Sequence, residues 1–513
     1  PFGSVMNITG DIADSHRGGQ SVLKVHLDNG CVILYKPHSI DNEQMFEDFA
    51  EYLGKACNLP MFCLKRICGD NYGWEACVER KECKTEEEIR RFYRRTGMYL
   101  FIFYLLGTND IHGENVIAHG EYPVVVDMEN ILGIQKNTDS SNIMEQMRLY
   151  LQTSVLASGM LPSAKWQQEG RNVNISGIGG GGRARLPFRI PVIMGAGTSD
   201  IRITYRYPEF EPDENAPMLR GKCISPEQYE QDILAGFAEA WNYVMGYTEA
   251  AAEQLEKLQD LKSRYLLADT QRYAMCLNSS YHPSLMTDGG DRQLYLYTIC
   301  YGRNLKQPGA LELIQSEIKD MSMHDIPYFY FQGNSRHLYN SEGKPAKDYF
   351  AHTSYEQMRG RLYGLSEADL EHQKRLIHIT LTAGKEVRVN RKLTGKPRLT
   401  RELSGKEAYP KLAAKVMERL FDEAVYFGDK LGWYVVNMAS FGASGWQIEP
   451  MHMYLYGGVM GIALLGRLME TYTGSETYAR VSCRLEKQLF DYTGQLEKMR
   501  PENLRVGIYN GEM

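Results

Sequence analysis

The pair Asn29-Gly30 constrains the local fold more than any other short segment of this sequence. It separates two runs rich in β-forming residues, at positions 22–27 and 31–35. Asn-Gly is the preferred centre of a two-residue hairpin turn, because both residues tolerate positive φ angles. Pro37 has no N–H to donate to a sheet and therefore ends the second strand. The sequence thus predicts a β-hairpin with Lys36 at the end of its second strand.

A long helix and a second hairpin are predicted further along the chain. Residues 86–106 have helical periodicity with an apolar second half, and Gly107 marks the end of the helix. Residues 116–118 and 123–126 have the composition of two short strands. We expect Asp127 to stand at the exit of this hairpin.

The remaining segments are predicted from periodicity and composition. Residues 42–53, 226–267 and 407–431 have the apolar spacing of helices. The stretch 174–206 is rich in Gly, Arg and Ser and predicts a long mobile loop. The amino-acid composition changes near Tyr456 to a short glycine-rich stretch, and we place a domain boundary there.

Composition excludes several classes of protein. The 513 residues are 43% hydrophobic and 24% charged, which is ordinary for a globular protein. A net charge of -6 argues against nucleic acid as a partner, because phosphate binding requires a basic face. None of the ten cysteines has C-x-x-C spacing, and the longest apolar run, 98–107, is too short to span a bilayer. We expect a cytoplasmic protein without stable membrane insertion and leave its oligomeric state open.

Candidate catalytic and metal-binding residues are concentrated between positions 110 and 127. Asn115 follows Asp110 by five positions, and Asp127 follows Asn115 by twelve. Kinases use an aspartate, an asparagine at the same step and a metal-binding aspartate one hairpin later. In that arrangement Asp110 would accept or orient the hydroxyl proton, Asn115 and Asp127 would hold Mg²⁺, and Lys36 would bind phosphate of ATP.

The pattern also departs from that of ordinary protein kinases. Asn109 stands where kinases have the arginine before the catalytic aspartate, and Asp127-Met128-Glu129 replaces Asp-Phe-Gly. The Asp-to-Asn spacing is common by chance. It indicates phosphoryl transfer only together with the first hairpin, Lys36 and the exit aspartate.

Several longer blocks occur in the order of one known family. Together they resemble the dehydratase domain of class II lanthipeptide synthetases, over most of residues 10–455. The blocks that carry the resemblance are 14–22, 35–37, 72–75, 92–97, 107–115, 123–129, 154–156, 159–162 and 177–182.

This resemblance implies dehydration of Ser and Thr in a ribosomally made precursor peptide, as in lantibiotic biosynthesis. ATP phosphorylates the hydroxyl, and phosphate is then eliminated to leave dehydroalanine or dehydrobutyrine. The implied fold is α+β, with a kinase-like (lipid-kinase-like) two-lobed core, added helical elements and a short helical remnant. The implied division is 1–96 for the N-lobe-like part, 97–454 for the C-lobe-like and elimination part, and 455–513 for a truncated start of a cyclase-like α/α domain.

The resemblance also adds residues to those that spacing suggests. It implies catalytic roles for Asp14, His16 and His112 in the phosphorylation half of the reaction. Glu129 is a candidate for a further metal ligand or base, or for one partner of a structural ion pair.

Elimination requires a cation for the departing phosphate. By resemblance this role falls to Arg264 and, six residues later, Thr270. The family often has a second arginine where Ala268 or Asp269 stands here. From the residues alone, the favoured interpretation of Arg264 is a solvated arginine on a helix surface.

The end of the sequence resembles the opening of the family's zinc-dependent cyclase domain. No Cys-His-Gly block follows position 455, and Cys483 is the one thiol there. Zinc requires three or four ligands placed together, so we expect no zinc in this truncated chain. The cofactors that we expect are ATP and Mg²⁺. Two alternatives stay open: an ordinary lipid-like or small-molecule kinase, which leaves Arg264 and Thr270 without a role, and an inactive peptide-binding module.

Overall fold

The structure is a computed structural model of the chain. It describes residues 3–10, 14–136, 142–162, 166–168, 171–173, 175–179, 184–185, 189–195, 198–207, 209–210, 214–303, 305, 309–388, 408–438 and 446–496. Contacts divide the chain into two compact units. The first comprises residues 1–137, 153–385 and 440–445, and the second 138–152, 386–439 and 446–513. The three-part division expected above stays a prediction.

The α-helices of the described residues have the following bounds: α1 (Asp41–Ala56), α2 (Glu86–Leu106), α3 (Ile143–Thr153), α4 (Glu230–Gly246), α5 (Thr248–Gln254), α6 (Thr270–Ser280), α7 (Gly289–Leu296), α8 (Ala310–Ser322), α9 (Ser354–Tyr363), α10 (Glu367–Arg388), α11 (Ala408–Asp422), α12 (Val459–Thr473) and α13 (Glu476–Leu496). None of these helices has the length and apolar composition needed to cross a membrane.

The strands are short and pair in small antiparallel sheets. Their bounds are β1 (Val5–Thr9), β2 (Leu23–Leu27), β3 (Val32–Lys36), β4 (Arg66–Gly69), β5 (Tyr72–Ala76), β6 (Val116–His119), β7 (Tyr122–Val125), β8 (Trp166–Gln168), β9 (Arg171–Val173), β10 (Ala184–Arg185), β11 (Ile190–Met194), β12 (Arg202–Arg206), β13 (Glu209–Phe210), β14 (Met218–Leu219), β15 (Lys222–Cys223), β16 (Lys262–Arg264), β17 (Phe329–Gln332), β18 (Leu338–Asn340), β19 (Pro345–Ala346), β20 (Val425–Phe427), β21 (Lys430–Gly432), β22 (Tyr434–Met438) and β23 (Trp446–Pro450).

The first hairpin forms the centre of a five-stranded sheet with the order β1-β2-β3-β5-β4. Leu23 pairs with Tyr35 and His26 with Val32, which confirms the hairpin predicted around Asn29-Gly30. The last residue of β3, Lys36, pairs with Gly73 of β5. Lys36 ends the strand in a buried position.

Helix α2 is the buried axis of the first unit. Thr85 caps its start by accepting a hydrogen bond from the Glu88 N–H at 3.2 Å, and Gly107 ends it in the left-handed region with φ 71°. A Cβ on Gly97 would lie 1.9 Å from the Ile233 carbonyl oxygen in α4. The two helices therefore pack backbone against backbone, which only glycine allows at this position.

The second hairpin also forms as predicted, from β6 and β7. Val116 pairs with Val125, and the Val126 N–H donates to the Asn115 carbonyl oxygen at 3.0 Å. Asn115 and Asp127 are thereby brought to the same open end of the hairpin. This register is the structural reason for the twelve-residue spacing in the sequence.

The helical prediction for residues 226–267 is wrong at its end, because residues 262–264 form strand β16. Its Arg264 N–H donates to the Glu129 carbonyl oxygen at 2.8 Å, and the Ser263 hydroxyl donates to the Leu132 carbonyl oxygen at 3.0 Å. The strand thus runs beside the segment that follows Asp127. This contact places Arg264 beside Glu129, two residues after Asp127.

Two further predictions are wrong in part. The stretch predicted as a loop contains the paired strands β11 and β12, although residues 180–183 lie outside the described part. The helix predicted over 407–431 is shorter, because α11 ends at Asp422 and β20 and β21 form a hairpin after it.

The second unit has its own apolar core. It is built from α3, the β20–β21 hairpin, α12 and α13, with Trp433 and Leu485 among its fully covered side chains. Gln488 in α13 fixes β21 by accepting from the Leu431 N–H at 3.0 Å and donating to its carbonyl oxygen at 2.9 Å. None of the predicted site residues lies in this unit.

Candidate functional site

Lys36, at the end of β3, is held between two carboxylates. Its Nζ lies 3.0 Å from Glu43 Oε1 and 3.0 Å from Glu75 Oε1, and it donates to the Val126 carbonyl oxygen at 2.7 Å. Burial alone would lower the pKa of Lys36, but the charges of Glu43 and Glu75 outweigh burial and raise it. The ammonium is therefore charged and fixed one residue away from Asp127.

Asn115 and Asp127 present oxygen atoms near this ammonium. Asn115 Nδ2 donates to the Asp110 carbonyl oxygen at 2.8 Å, which fixes the amide and leaves its Oδ1 without a hydrogen bond among the described residues. Burial and the neighbouring Glu129 charge raise the pKa of Asp127 to about 7, although Lys36 acts in the opposite direction. The positive charge of Lys36 is thus too small to offset the effects of burial and of Glu129 on the pKa of Asp127.

Asp110 is held in an unusual backbone conformation. Its φ of 69° lies in the left-handed region, which costs energy for a residue with a Cβ and is found preferentially at functional sites. Asp110 Oδ1 lies 2.7 Å from His112 Nε2, and its Oδ2 accepts from Asn130 Nδ2 at 3.1 Å. The side chain is 31% exposed, so a substrate hydroxyl can approach it.

Glu129 and Arg264 form an ion pair at the other end of the same segment. Glu129 Oε2 lies 2.8 Å from Arg264 Nη1, and its Oε1 lies 3.7 Å from His38 Nε2. Although burial acts to raise the pKa of Glu129, Arg264 and the nearby histidines lower it to about 2. Of the roles left open by the sequence, the structural ion pair is the one with direct contacts here.

Arg264 is buried on a strand, and the alternative of a solvated helix-surface arginine is wrong. Its side chain is 11% exposed. Burial alone would lower its pKa, but the Glu129 charge outweighs burial and raises it. The Nε and Nη2 atoms have no hydrogen-bond partner within the part of the chain that the structure describes. Unpaired buried donors are costly, so this guanidinium retains two groups that an anion could satisfy.

His16 lies in the electrostatic neighbourhood of Arg264 and Glu129. Its Nδ1 lies 2.8 Å from the Ile326 carbonyl oxygen, an acceptor, so Nδ1 carries the hydrogen and donates. Burial and the Arg264 charge lower its pKa, although Glu129 acts in the opposite direction. The neutral ring therefore has an unprotonated Nε2, as a proton acceptor requires.

The remaining two candidates, Asp14 and Thr270, make fewer contacts with the other candidate residues. Asp14 is exposed, and its charge acts on His16. Thr270 begins α6 and is partly buried. Among the described residues, no hydrogen bond joins the Thr270 side chain to another candidate.

Sequence reasoning missed the groups that hold the candidates in place. These are Glu43 and Glu75 around Lys36, Asn130 beside Asp110, and Tyr328, whose ring centre lies 5.5 Å from that of His16. A carboxylate on the helix after a strand lysine is a signal that could have identified Glu43, because kinases pair these two positions.

The donor set can be compared with the needs of a metal. The described residues contain no group of three or more His, Cys, Asp or Glu side chains able to hold one. Mg²⁺, however, usually takes one or two carboxylates and completes its shell with water and phosphate oxygens. The Asp127 carboxylate and Asn115 Oδ1 fit that requirement. The expectation that zinc is absent stays a prediction.

The part of the chain that matches a known family contains the candidate residues. A family model described as a domain of unknown function, DUF4135, matches residues 1–332. This chain belongs to the DUF4135 family. Every candidate from Asp14 to Thr270 lies within the DUF4135 match, and so does Tyr328.

The chain is also similar to a curated protein, "Lacticin 481/lactococcin biosynthesis protein LcnDR2" of Lactococcus lactis subsp. lactis. The two are 24% identical over 495 residues, which cover 91% of this chain and 50% of the relative. The chain thus spans about half the length of this relative. Together with the DUF4135 match, this confirms the family relationship that the sequence blocks indicated.

Proposed function

We propose that this chain dehydrates Ser and Thr residues of a ribosomally made precursor peptide in lantibiotic biosynthesis. One observation carries the proposal. A kinase-like set of Lys36, Asp110, Asn115 and Asp127 is joined through residues 126–129 to Arg264, whose guanidinium nitrogens Nε and Nη2 have no hydrogen-bond partner among the described residues. Phosphoryl transfer accounts for the first four residues, and departure of phosphate accounts for the fifth.

In the first step the peptide hydroxyl attacks the γ-phosphorus of ATP. Asp110 accepts the hydroxyl proton, the new bond joins the side-chain oxygen to phosphorus, and ADP leaves. His112, 2.7 Å from Asp110 Oδ1, orients that carboxylate. Lys36 is restrained by Glu43 as the strand lysine of kinases is restrained by a helix glutamate, and it neutralises phosphate charge.

Mg²⁺ would be held by Asp127 and Asn115 and would supply positive charge that offsets the charge of the phosphates. The raised pKa of Asp127 supports this assignment, because a bound cation would favour the charged form of this partly buried carboxylate beside Glu129. Asn115 contributes through Oδ1, since its Nδ2 is engaged by the Asp110 carbonyl oxygen.

In the second step the α-carbon loses its proton and the Cβ–O bond breaks. The electron pair of the Cα–H bond becomes the new double bond, and that of the Cβ–O bond leaves with phosphate. Arg264 binds the departing phosphate through its unpaired Nε and Nη2 groups. The resemblance implies a role for His16 in phosphorylation, but we assign it instead as the proton acceptor of elimination, because its Nε2 is unprotonated when Nδ1 donates to the Ile326 carbonyl oxygen. Thr270 would assist by contact with the peptide or phosphate.

The proposal includes a kinase-like two-lobed fold for the first unit and a place of action in the cytoplasm. Its peptide substrate is proposed from the name of the relative, which is that of a lantibiotic biosynthesis protein. The support from the structure is the pairing of a strand lysine with a carboxylate on the next helix, as in kinases.

The test is to incubate the intact protein with ATP, Mg²⁺ and a Ser/Thr-rich precursor peptide, and to follow the peptide by mass spectrometry. Loss of one water per modified residue is the expected result. Stable gain of phosphate would instead favour an ordinary kinase, and an unchanged mass would favour a peptide-binding module.

A further inference from the structure

The loop that carries His16 is fixed by a buried carboxylate that the reaction steps do not use. Asp325 is 3% exposed, and its Oδ1 accepts hydrogen bonds from Ser15 Oγ at 3.0 Å and the Gly19 N–H at 3.1 Å. Its Oδ2 accepts from the Gly18 N–H at 2.6 Å. Among the described residues it makes no ion pair. Because an uncompensated buried carboxylate is costly, Asp325 and the loop stabilise each other.

The backbone of this loop is shaped to receive the carboxylate. Gly18 and Gly19 both have a φ of 84°, which glycine adopts without steric cost, and their successive N–H groups converge on one anion. The Ile326 N–H adds a hydrogen bond to the Ser15 carbonyl oxygen at 3.0 Å. The position of Arg17, inside this clamped segment, is therefore determined by Asp325.

Arg17 and Arg264 contact the same aromatic ring. The Arg17 Cζ lies 4.0 Å from the centre of the Tyr328 ring, and the Arg264 Cζ lies 5.7 Å from it. Arg17 has a φ of 50°, a left-handed conformation whose cost the clamp offsets. Within the described part of the chain, no carboxylate forms an ion pair with Arg17.

We propose that Arg17 is a second phosphate-binding residue, held in place by Asp325, that acts with Arg264 on the phosphate of a phosphorylated Ser or Thr. This rests on the proposed function and extends it. Arg264 is paired with Glu129, so that pair has no net charge. A phosphomonoester carries close to two negative charges at neutral pH. Arg17 supplies positive charge that the buried pair cannot.

Inorganic phosphate is the probe for this site. It is titrated into the full chain without ATP, and its affinity is obtained from the rise in thermal stability. Arg17→Ala should weaken phosphate binding by about ten- to a hundredfold, the range expected for loss of a charge-assisted contact. Arg336→Ala is the matched control. That arginine is 51% exposed in a surface ion pair with Asp348, so its loss should leave phosphate affinity unchanged.

A double-mutant cycle separates positioning by Asp325 from a merely structural role. Asp325→Asn should also weaken phosphate binding, because the loop loses its anionic anchor. If Asp325 acts through Arg17, the double variant should bind phosphate no more weakly than Arg17→Ala alone. Additive losses would mean that Asp325 affects the site by another route and would contradict this part of the proposal.

The outcomes for phosphate and for peptide are distinct. Equal affinity of Arg17→Ala and the unaltered chain, or no phosphate binding by the unaltered chain, overturns the proposal. A chain that binds phosphate through Arg17 but never removes water from a peptide keeps the anion site and refutes the proposed dehydration.

Discussion

Glu129 and Arg264, 135 positions apart in the sequence, are joined through both side chain and backbone. The Glu129 carboxylate lies 2.8 Å from the Arg264 guanidinium, and the Arg264 N–H donates to the Glu129 carbonyl oxygen at 2.8 Å. The segment after Asp127 is thereby fixed against β16. One contact thus couples the proposed phosphorylation residues to the proposed elimination residue.

Replacing Arg264 should separate the two halves of the reaction. Arg264→Ala should accumulate phosphorylated peptide, because phosphate loses its cation while Lys36 and Asp110 remain. The change leaves Glu129 buried without its partner, so about 3–5 kcal/mol of stability should also be lost. Arg264→Lys keeps the positive charge beside Glu129 and is the control for an effect of unfolding alone. The ratio of phosphorylated to dehydrated peptide is measured by mass spectrometry, and a wild-type ratio in both variants would refute the elimination role.

Replacing Lys36 should affect both phosphoryl transfer and stability. Lys36→Met removes the cation that Glu43 and Glu75 share, although Arg66 stays 3.3 Å from Glu75, and breaking a buried pair costs about 3–5 kcal/mol. The triple variant with Glu43→Gln and Glu75→Gln removes those charges and should recover much of the stability without recovering ATP binding. Chemical denaturation and nucleotide titration measure the two effects. Full nucleotide affinity in the triple variant would contradict the role of Lys36.

Asp127 should make the metal-free protein less stable as pH rises. Its pKa is raised to about 7 in the folded state, from an ordinary value of 3.8. Between these values the folded chain binds a proton that the unfolded chain has released, so the free energy of unfolding increases as pH falls.

Asp127→Asn removes this dependence and should abolish phosphorylation. In chelator, the variant should be more stable than the unaltered chain at pH 8, and the difference should vanish near pH 4. Thermal unfolding across this range measures it. A difference that does not change with pH would show that Asp127 does not titrate in this way.

The close approach of α2 and α4 predicts a strong effect of one added methyl group. A Cβ on Gly236 would lie 1.8 Å from the Arg94 carbonyl oxygen, whereas nothing lies within 4 Å of a Cβ on Gly246 in the same helix. Gly236→Ala should therefore cost about 1–3 kcal/mol or more by overpacking. Gly246→Ala is the control and should be neutral or stabilising. Equal stabilities in urea denaturation would contradict the backbone contact.

Local signals explain what could be predicted from the sequence. The hairpin at Asn29-Gly30, helix α2 with its end at Gly107, and the β6–β7 hairpin follow from turn chemistry and periodicity over short distances. The spacing from Asn115 to Asp127 had a structural cause, since a hairpin brings these two residues together.

What depends on long-range packing could not be predicted. Periodicity assigns Arg264 to a helix, because nothing nearby in the sequence indicates that β16 pairs with β17. Asp325 lies 310 positions from Ser15 and is an ordinary surface residue by composition. Its clamp on the loop exists only after the first unit folds.

The most direct measurement is a time course of peptide mass with the intact protein, ATP and Mg²⁺. The account predicts that a precursor peptide first gains phosphate and then loses it together with the α-proton, ending one water lighter per modified residue. Asp110→Ala should leave the peptide at its starting mass. The result that would contradict the account is loss of water from the peptide without any phosphorylated intermediate. This result would have to hold both for the unaltered protein and for Arg264→Ala, which is used to trap that intermediate.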